Sequence, residues 1–159
     1  LVVTANSQTL TYGDNVSIGF TYGAFKNGDD ASVLDTGAYV FIVESVSSFN
    51  AGTYTIRPDA LSDNNYTPSY IDGTLTINKA TLTVTADDKS KTYGDDNPSF
   101  TVSYSGFIGS EDVSVLDTPP TASSTAVNNT SAGTSNITVS GGVDNNYKFN
   151  FYIFDLFKN

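Results

Sequence analysis

The side chains that could do acid–base chemistry in this sequence are carboxylates and lysines, because it contains no histidine and no cysteine. A histidine-activated nucleophile and a thiolate are therefore both excluded. Only two glutamates occur, Glu44 and Glu111, and the repeat described below does not relate their positions. Glycoside cleavage needs two acids facing each other across a cleft, for which a small module has little room. We therefore expect no enzymatic activity and assign no catalytic residue.

Clustered carboxylates are the next candidates, because hard oxygen ligands suit calcium. The clusters are Asp29-Asp30, Asp87-Asp88, Asp95-Asp96 and the single Asp144. None has the D-x-D-x-D-G spacing of a calcium loop, and adjacent acids on a strand point to opposite faces. We expect solvated turns, and we assign no metal ligand, no cofactor-binding residue and no cofactor. The alternative is a weak calcium site where acidic turns meet at a junction between modules.

The charge balance limits the partners of the chain. With 17 acidic and 7 basic residues the net charge is −10, which disfavours nucleic acid and anionic membranes. The longest apolar run, residues 38–43, is far too short to cross a bilayer, so we expect no membrane insertion. The chain opens in a strand-like pattern without a signal peptide, as a segment of a longer protein would. We expect a monomer whose partners are neighbouring modules of the same parent chain.

A shift of 81 or 82 residues aligns the sequence with itself at several points. The aligned segments are Leu1–Ala5 with Leu82–Ala86, TYGD at 11–14 with 92–95, SVLDT at 32–36 with 114–118, AGT at 51–53 with 132–134, and DNNY at 63–66 with 144–147. Such a series in one order identifies a tandem array. We predict two modules, residues 1–79 (copy one) and 80–159 (copy two).

Each copy has the pattern of a small β-rich domain. Leu82, Val84 and Ala86 alternate with threonines, as in a half-buried strand, and Val16, Ile18, Phe20 and Tyr22 alternate in copy one where Phe100, Val102 and Tyr104 do in copy two. We expect Gly13 and Gly94 to adopt positive φ in turns. One short helix per copy is predicted, N-capped by Ser110 in copy two and placed within residues 27–34 in copy one.

The motifs LTVTA, TYGD, the acidic helix start, AGT and NNY together resemble the MBG-type repeats of the YGX kind, found in large bacterial surface and secreted adhesin-like proteins. The resemblance covers both copies. It implies a β-grasp-like module with no enzymatic role, strung in tandem as a stalk or display unit outside the cell. An Ig-like β-sandwich is the alternative fold. The end of copy two departs from the pattern, because copy one closes with Gly73–Ala80 whereas copy two has Phe154–Asn159.

Aromatic residues spaced three apart suggest a possible sugar-binding platform. They occur at Tyr22 and Phe25 in copy one and at Tyr104 and Phe107 in copy two. Because they recur at equivalent places, we favour a role in the core and in turns. Lys–Asn crosslinks are a further alternative, which the scattered lysines disfavour.

The segment Tyr147–Phe157 has apolar residues on both of its faces. We predict a central strand covered on both sides, the alternative being a strand covered by a neighbour outside this chain. The link at residues 78–81 contains no glycine or proline, so we expect the modules to be arranged end to end in an elongated pair.

We hypothesise a structural stalk or display repeat of a bacterial cell-surface or secreted adhesin-like protein. A module that binds a glycan or a host protein is the alternative. Such a binder should carry one patch present in a single copy, for which residues 39–43 are the first candidate.

Overall fold

The computed structural model describes residues 1–34, 49–59, 61 and 63–159. The chain divides into two compact units, Leu1–Asn78 and Lys79–Asn159. Lys79 belongs to the second unit, where its ammonium donates to the backbone carbonyl of Asp144 at 2.8 Å. Both units are mainly β, as the sequence predicts.

Copy one contains six strands among its described residues. They are β1 (Val2–Ala5), β2 (Gln8–Thr11), β3 (Phe20–Tyr22), β4 (Gly52–Ile56), β5 (Ser69–Ile71) and β6 (Gly73–Asn78). They form two three-stranded sheets with the orders β3-β1-β5 and β2-β6-β4.

Copy two contains seven strands. They are β7 (Ala80–Ala86), β8 (Lys89–Lys91), β9 (Val102–Ser105), β10 (Thr121–Ser123), β11 (Gly133–Ser140), β12 (Tyr147–Tyr152) and β13 (Phe154–Lys158). The two sheets have the orders β12-β7-β9 and β10-β11-β13-β8.

The same pairing scheme is used in both copies. The first strand is interrupted once, into β1 and β2 or into β7 and β8, and the last strand is interrupted once, into β5 and β6 or into β12 and β13. Each half of the first strand pairs in parallel with the corresponding half of the last strand. The other named pairs are antiparallel. A parallel pair of terminal strands differs from the antiparallel sheets of an Ig-like sandwich.

Strand alternation builds the cores. In β7 the side chains of Leu82, Val84 and Ala86 are buried while Thr81 points to solvent, which confirms the predicted period of two. Val84 and Ala86 pack with residues of β11 and β13 in the core of copy two, namely Ile137, Val139 and Leu156. Copy one has corresponding clusters around Leu75 and Ile77 and around Val3.

The helical segment is shorter than predicted, and the predicted cap is wrong. In copy two a single 3₁₀ turn spans Val113–Val115, and its N-cap is Asp112, not Ser110. Copy one has the equivalent turn at Ala31–Val33, capped by Asp30. A carboxylate two residues before the donor amide accepts the hydrogen bond from that amide directly, so the turn begins at the aspartate.

The prediction for Tyr147–Phe157 is half wrong. The segment forms β12 and β13, and β13 lies between β11 and β8. However, several of its large apolar side chains are exposed and not covered, at 38–55% of their surface: Phe151, Tyr152, Ile153, Phe154 and Phe157. Tyr147 and Leu156 are buried, and Tyr152 and Phe157 are exposed at alternate positions. Phe151 and Phe154 are exposed although they share the alternation of the buried residues, so the core covers even that face only in part.

Candidate functional site

The TYGD motifs are tight turns that end the first strand of each copy. In copy one Asp14 N donates to the Thr11 carbonyl at 2.9 Å, and the Asp14 carboxylate accepts from Thr11 N at 2.8 Å. Gly13 has a φ of 95°, which confirms the predicted positive value. In copy two Gly94 has a φ of 93° and Asp95 N donates to the Thr92 carbonyl. A turn with positive φ at its third residue requires glycine there.

The tyrosine of the motif connects the turn to the last strand. Tyr12 N donates to the carbonyl of Asn78 at 2.8 Å, and Tyr93 N donates to that of Asn159 at 2.8 Å. The motif therefore joins the end of the first strand to the end of the last strand in both copies.

The DNNY motifs place a carboxylate over turn amides, which in copy two lie at the start of the last strand. In copy two Asp144 Oδ1 accepts from the backbone N–H groups of Asn146 and Tyr147, both at 2.7 Å. In copy one Asp63 accepts from the equivalent amides of Asn65 and Tyr66, at 2.7 and 3.0 Å. The aspartate thus satisfies turn amides that have no strand partner.

The tyrosine of DNNY belongs to an aromatic cluster with a phenylalanine at its centre. Phe107 packs against Tyr104 and edge-on against Tyr147, at centroid distances of 5.6 and 5.5 Å. In copy one Phe25 makes the equivalent contacts with Tyr22 and Tyr66. The aromatics spaced three apart therefore serve the core in both copies, as the sequence indicates.

The hydroxyl of the same tyrosine reaches the segment that precedes the 3₁₀ turn. Tyr147 Oη accepts from Ile108 N at 2.8 Å and donates to the Glu111 carboxylate. Tyr66 Oη likewise accepts from Lys26 N and donates to Asp29 at 2.8 Å. Glu111 and Asp29 are thus equivalent tyrosine acceptors, a role that the sequence alone did not indicate.

A second set of carboxylates acts at the interruption of the first strand. Asp87 accepts from the hydroxyls of Ser103, at 2.6 Å, and Thr101, and these hydrogen bonds hold its pKa below the ordinary value. Asp88 Oδ1 accepts from Asp155 N at 3.1 Å, in the last strand.

Copy one makes the same two contacts with uncharged residues. Asn6 Oδ1 accepts from the Thr21 hydroxyl at 2.7 Å, and Ser7 Oγ accepts from Thr74 N at 2.9 Å. In each copy a side chain therefore bridges the first and last strands where their ladder is interrupted.

Carboxylates of three predicted acidic clusters, Asp29-Asp30, Asp87-Asp88 and Asp144, accept internal hydrogen bonds. Asp30 and Asp112 accept from Ser32 N and Ser114 N, each at 2.8 Å, and hydrogen bonds from these serines lower the pKa of both carboxyls. Within the described ranges no three acidic side chains come close enough together to hold a metal ion. The same part of the chain contains no helix that could span a membrane.

A family model for the MBG domain of the YGX type matches the chain twice, over residues 1–76 and 82–153. The chain belongs to the MBG domain family. The MBG repeat is a non-catalytic structural domain type that occurs in surface proteins. Neither the curated proteins nor the solved structures contain a match.

The two MBG copies differ at a pair of buried lysines. Lys91 and Lys158 are partners across the parallel ladder of copy two, where copy one has Leu10 and Ile77. The Lys91 ammonium donates to the carbonyls of Asp95 and Val127 and to Asn97 Oδ1 at 2.8–3.1 Å. These bonds use all three ammonium hydrogens, so none is left to donate to a ligand in the neighbouring open cleft, which Asn97 and Val127 help to line.

The other copy-specific feature is the exposed last strand of the second MBG copy. Tyr152 and Phe157 lie on the face away from the core, because side chains alternate along a strand. Phe151, next to Tyr152, is paired with the core residue Val84, and Leu156, next to Phe157, is buried. Copy one has Ile71 and Thr76 at the equivalent positions. The candidate strand at residues 39–43 lies outside the described residues, and the last strand of copy two is a described surface on which the copies differ.

Proposed function

We propose that the chain is a structural stalk or display repeat of a bacterial surface or secreted adhesin-like protein, acting outside the cell. The observation that carries this proposal is the duplication of one hydrogen-bonded framework. TYGD, DNNY and the tyrosine-linked 3₁₀ turn make the same contacts in both copies. Their side chains are used to hold strands together, as expected of a spacing module.

Surface display tests this proposal directly. One, two or three tandem copies of the 159-residue chain would be inserted between a cell-wall anchor and an epitope on a bacterial surface. A spacer predicts that the epitope becomes steadily more accessible to antibody-coated beads as copies are added. Unchanged accessibility, or digestion of the inserted chains by extracellular protease, would contradict the proposal.

The exposed strand of copy two favours a second candidate function, the binding of an uncharged glycan. In each of the two sheets of copy two, one cross-strand row that points away from the core contains an aromatic ring beside hydroxyl side chains. Tyr152 is paired with Thr85, and Phe157 lies between Ser90 and Thr134. Aromatic rings can stack on sugar C–H groups, while neighbouring hydroxyls donate and accept hydrogen bonds.

The chain supplies its own control for glycan binding. Tyr152→Ile and Phe157→Thr introduce the residues that copy one carries at these positions. In native gels containing a neutral glucan or galactomannan, the wild type should be retarded and the double variant should not. Equal mobility of the two proteins would contradict glycan binding. Concentration-dependent association of the wild type without sugar would instead indicate that the strand binds a second copy.

A further inference from the structure

We infer that each copy is a mechanical clamp, in which tension applied through the ends of the module loads the parallel ladder in shear. The biological use of such a clamp rests on the proposed stalk function. Its mechanical behaviour follows from the strand pairing alone. It concerns the first and last strands of each copy, which are adjacent and parallel.

The direction of the strands determines how force acts. Copy one begins at the start of its first strand and ends, at Asn78, at the end of its last strand. Because these strands run in the same direction side by side, their loaded ends lie at opposite ends of the ladder. Pulling then slides one strand along the other, and the ladder hydrogen bonds must break together. In a pair pulled from one end, the bonds would break one after another.

The ladders are long relative to these small sheets. Copy one has three pairs between β1 and β5 and four between β2 and β6, seven in total. Copy two has six pairs between β7 and β12 and three between β8 and β13, nine in total. Evenly spaced, slanted bonds are typical of parallel pairs, so the load is shared along each ladder.

The repeated motifs strengthen the places where the ladder is weakest. Backbone bonds continue it past its ends, from Ser69 N to the Leu1 carbonyl and from Tyr12 N to the Asn78 carbonyl. At the interruption, Asp88 in copy two and Ser7 in copy one bridge to the last strand. The TYGD turn and the bridging residue therefore have a common role in holding the loaded pair.

Single-molecule pulling tests the clamp, and the absence of cysteine allows specific handles to be attached. The full chain would be pulled through its two termini, and, in a second protein, through Thr81→Cys and Lys148→Cys. Thr81 and Lys148 are exposed partners at one end of the β7–β12 ladder, so this geometry opens the ladder from that end. Circular dichroism would first establish that both proteins are folded.

We expect copy two to unfold at a several-fold higher force when pulled through the termini than when pulled through residues 81 and 148. With the chain pulled through its termini, each unfolding step should release roughly 280 Å of chain, less the folded end-to-end distance, for about 80 residues. Equal forces in the two geometries would overturn the inference. Surface display plays no part in this measurement, so failure of the stalk proposal and failure of the clamp are distinguishable.

The bridging side chain is tested with a matched pair of variants. Asp88→Ala removes the acceptor for Asp155 N, while Asp96→Ala removes an exposed carboxylate outside the ladder. Terminal pulling should show a lower unfolding force for copy two in the first variant and the wild-type force in the second. An unchanged force in Asp88→Ala would overturn the role of the bridge.

Discussion

The TYGD glycines have positive φ, a backbone conformation that a Cβ atom would disfavour. Gly94 has a φ of 93°, and a Cβ built on it would meet no atom within 4 Å. Any cost of Gly94→Ala therefore comes from the backbone conformation, not from steric contact with neighbours. We expect this variant to destabilise copy two by about 1 kcal/mol, measured by urea unfolding.

Gly52→Ala is the matched control for this prediction. Gly52 lies outside the positive-φ region, and its added Cβ would be 3.6 Å from the Tyr54 hydroxyl, an ordinary contact. We expect its free energy of unfolding to change little. Equal effects of the two substitutions would show that φ does not set the requirement for glycine.

Asp87 should make the stability of copy two sensitive to acid. Its pKa is lowered from 3.8 by hydrogen bonds from Ser103 and Thr101, so the folded state favours the ionised carboxylate. This contribution is fully present above the unfolded value, and it is lost as the pH falls through the lowered value. Asp87→Asn, which introduces the Asn6 of copy one, should flatten the fall in melting temperature below about pH 4.

Removing a donor provides a second test of the same linkage. Ser103→Ala takes away the hydroxyl that bonds Asp87 at 2.6 Å, so it should also flatten the acid limb. If both variants lose stability with acid as steeply as the wild type, Asp87 is not responsible for the pH dependence.

At the scale of elements, the tyrosine hydroxyl of the DNNY motif holds the segment that precedes each 3₁₀ turn. Tyr147→Phe removes the acceptor for Ile108 N and the donor to Glu111. A part-buried amide left without a partner costs about 1–3 kcal/mol. We expect a loss of this size in urea unfolding, together with faster hydrogen exchange at the Ile108 amide.

Tyr66→Phe should repeat the effect in copy one, where Lys26 N donates to the Tyr66 hydroxyl at 2.9 Å. Exchange at the Lys26 amide should then accelerate while that of Ile108 is unchanged. Unaltered exchange at both amides would mean that the hydroxyls do not hold these segments.

The sequence predicts the local elements well, because they depend on neighbouring residues. Alternation identifies β7, and the glycine of TYGD identifies its turn. The cap is a closer case, since Ser110 and Asp112 both suit an N-cap and only the geometry of the turn selects the aspartate.

Long-range features of the copies could not be read in the same way. The exposure of Phe157 depends on which face of β13 the core covers. The sequence has apolar residues on both faces of this strand, so it does not indicate which face is buried. Lys91 and Lys158 resemble solvated residues in sequence. Their burial depends on the carbonyls, amide and hydroxyl that fold over them, which are up to 36 residues away.

At the scale of the whole molecule, each unit contains its own core. The cluster around Leu156 contains residues of copy two only, and those around Leu75 and Val3 contain residues of copy one only. We therefore expect residues 79–159 to unfold cooperatively as an isolated module, although about 80 residues give a small core. Calorimetry would measure this, and a broad, non-cooperative transition would contradict it.

The buried lysines also affect how faithfully tandem copies fold. Similar neighbouring repeats can exchange strands during folding, which leads to misassembly. If the last strand of copy two docked in copy one, Lys158 would lie opposite Leu10 and would meet Tyr54 where it normally meets Ser135. The reverse exchange would place Ile77 beside the ammonium of Lys91. Each last strand is therefore matched to its own first strand, so that a nascent chain is directed away from hybrid modules.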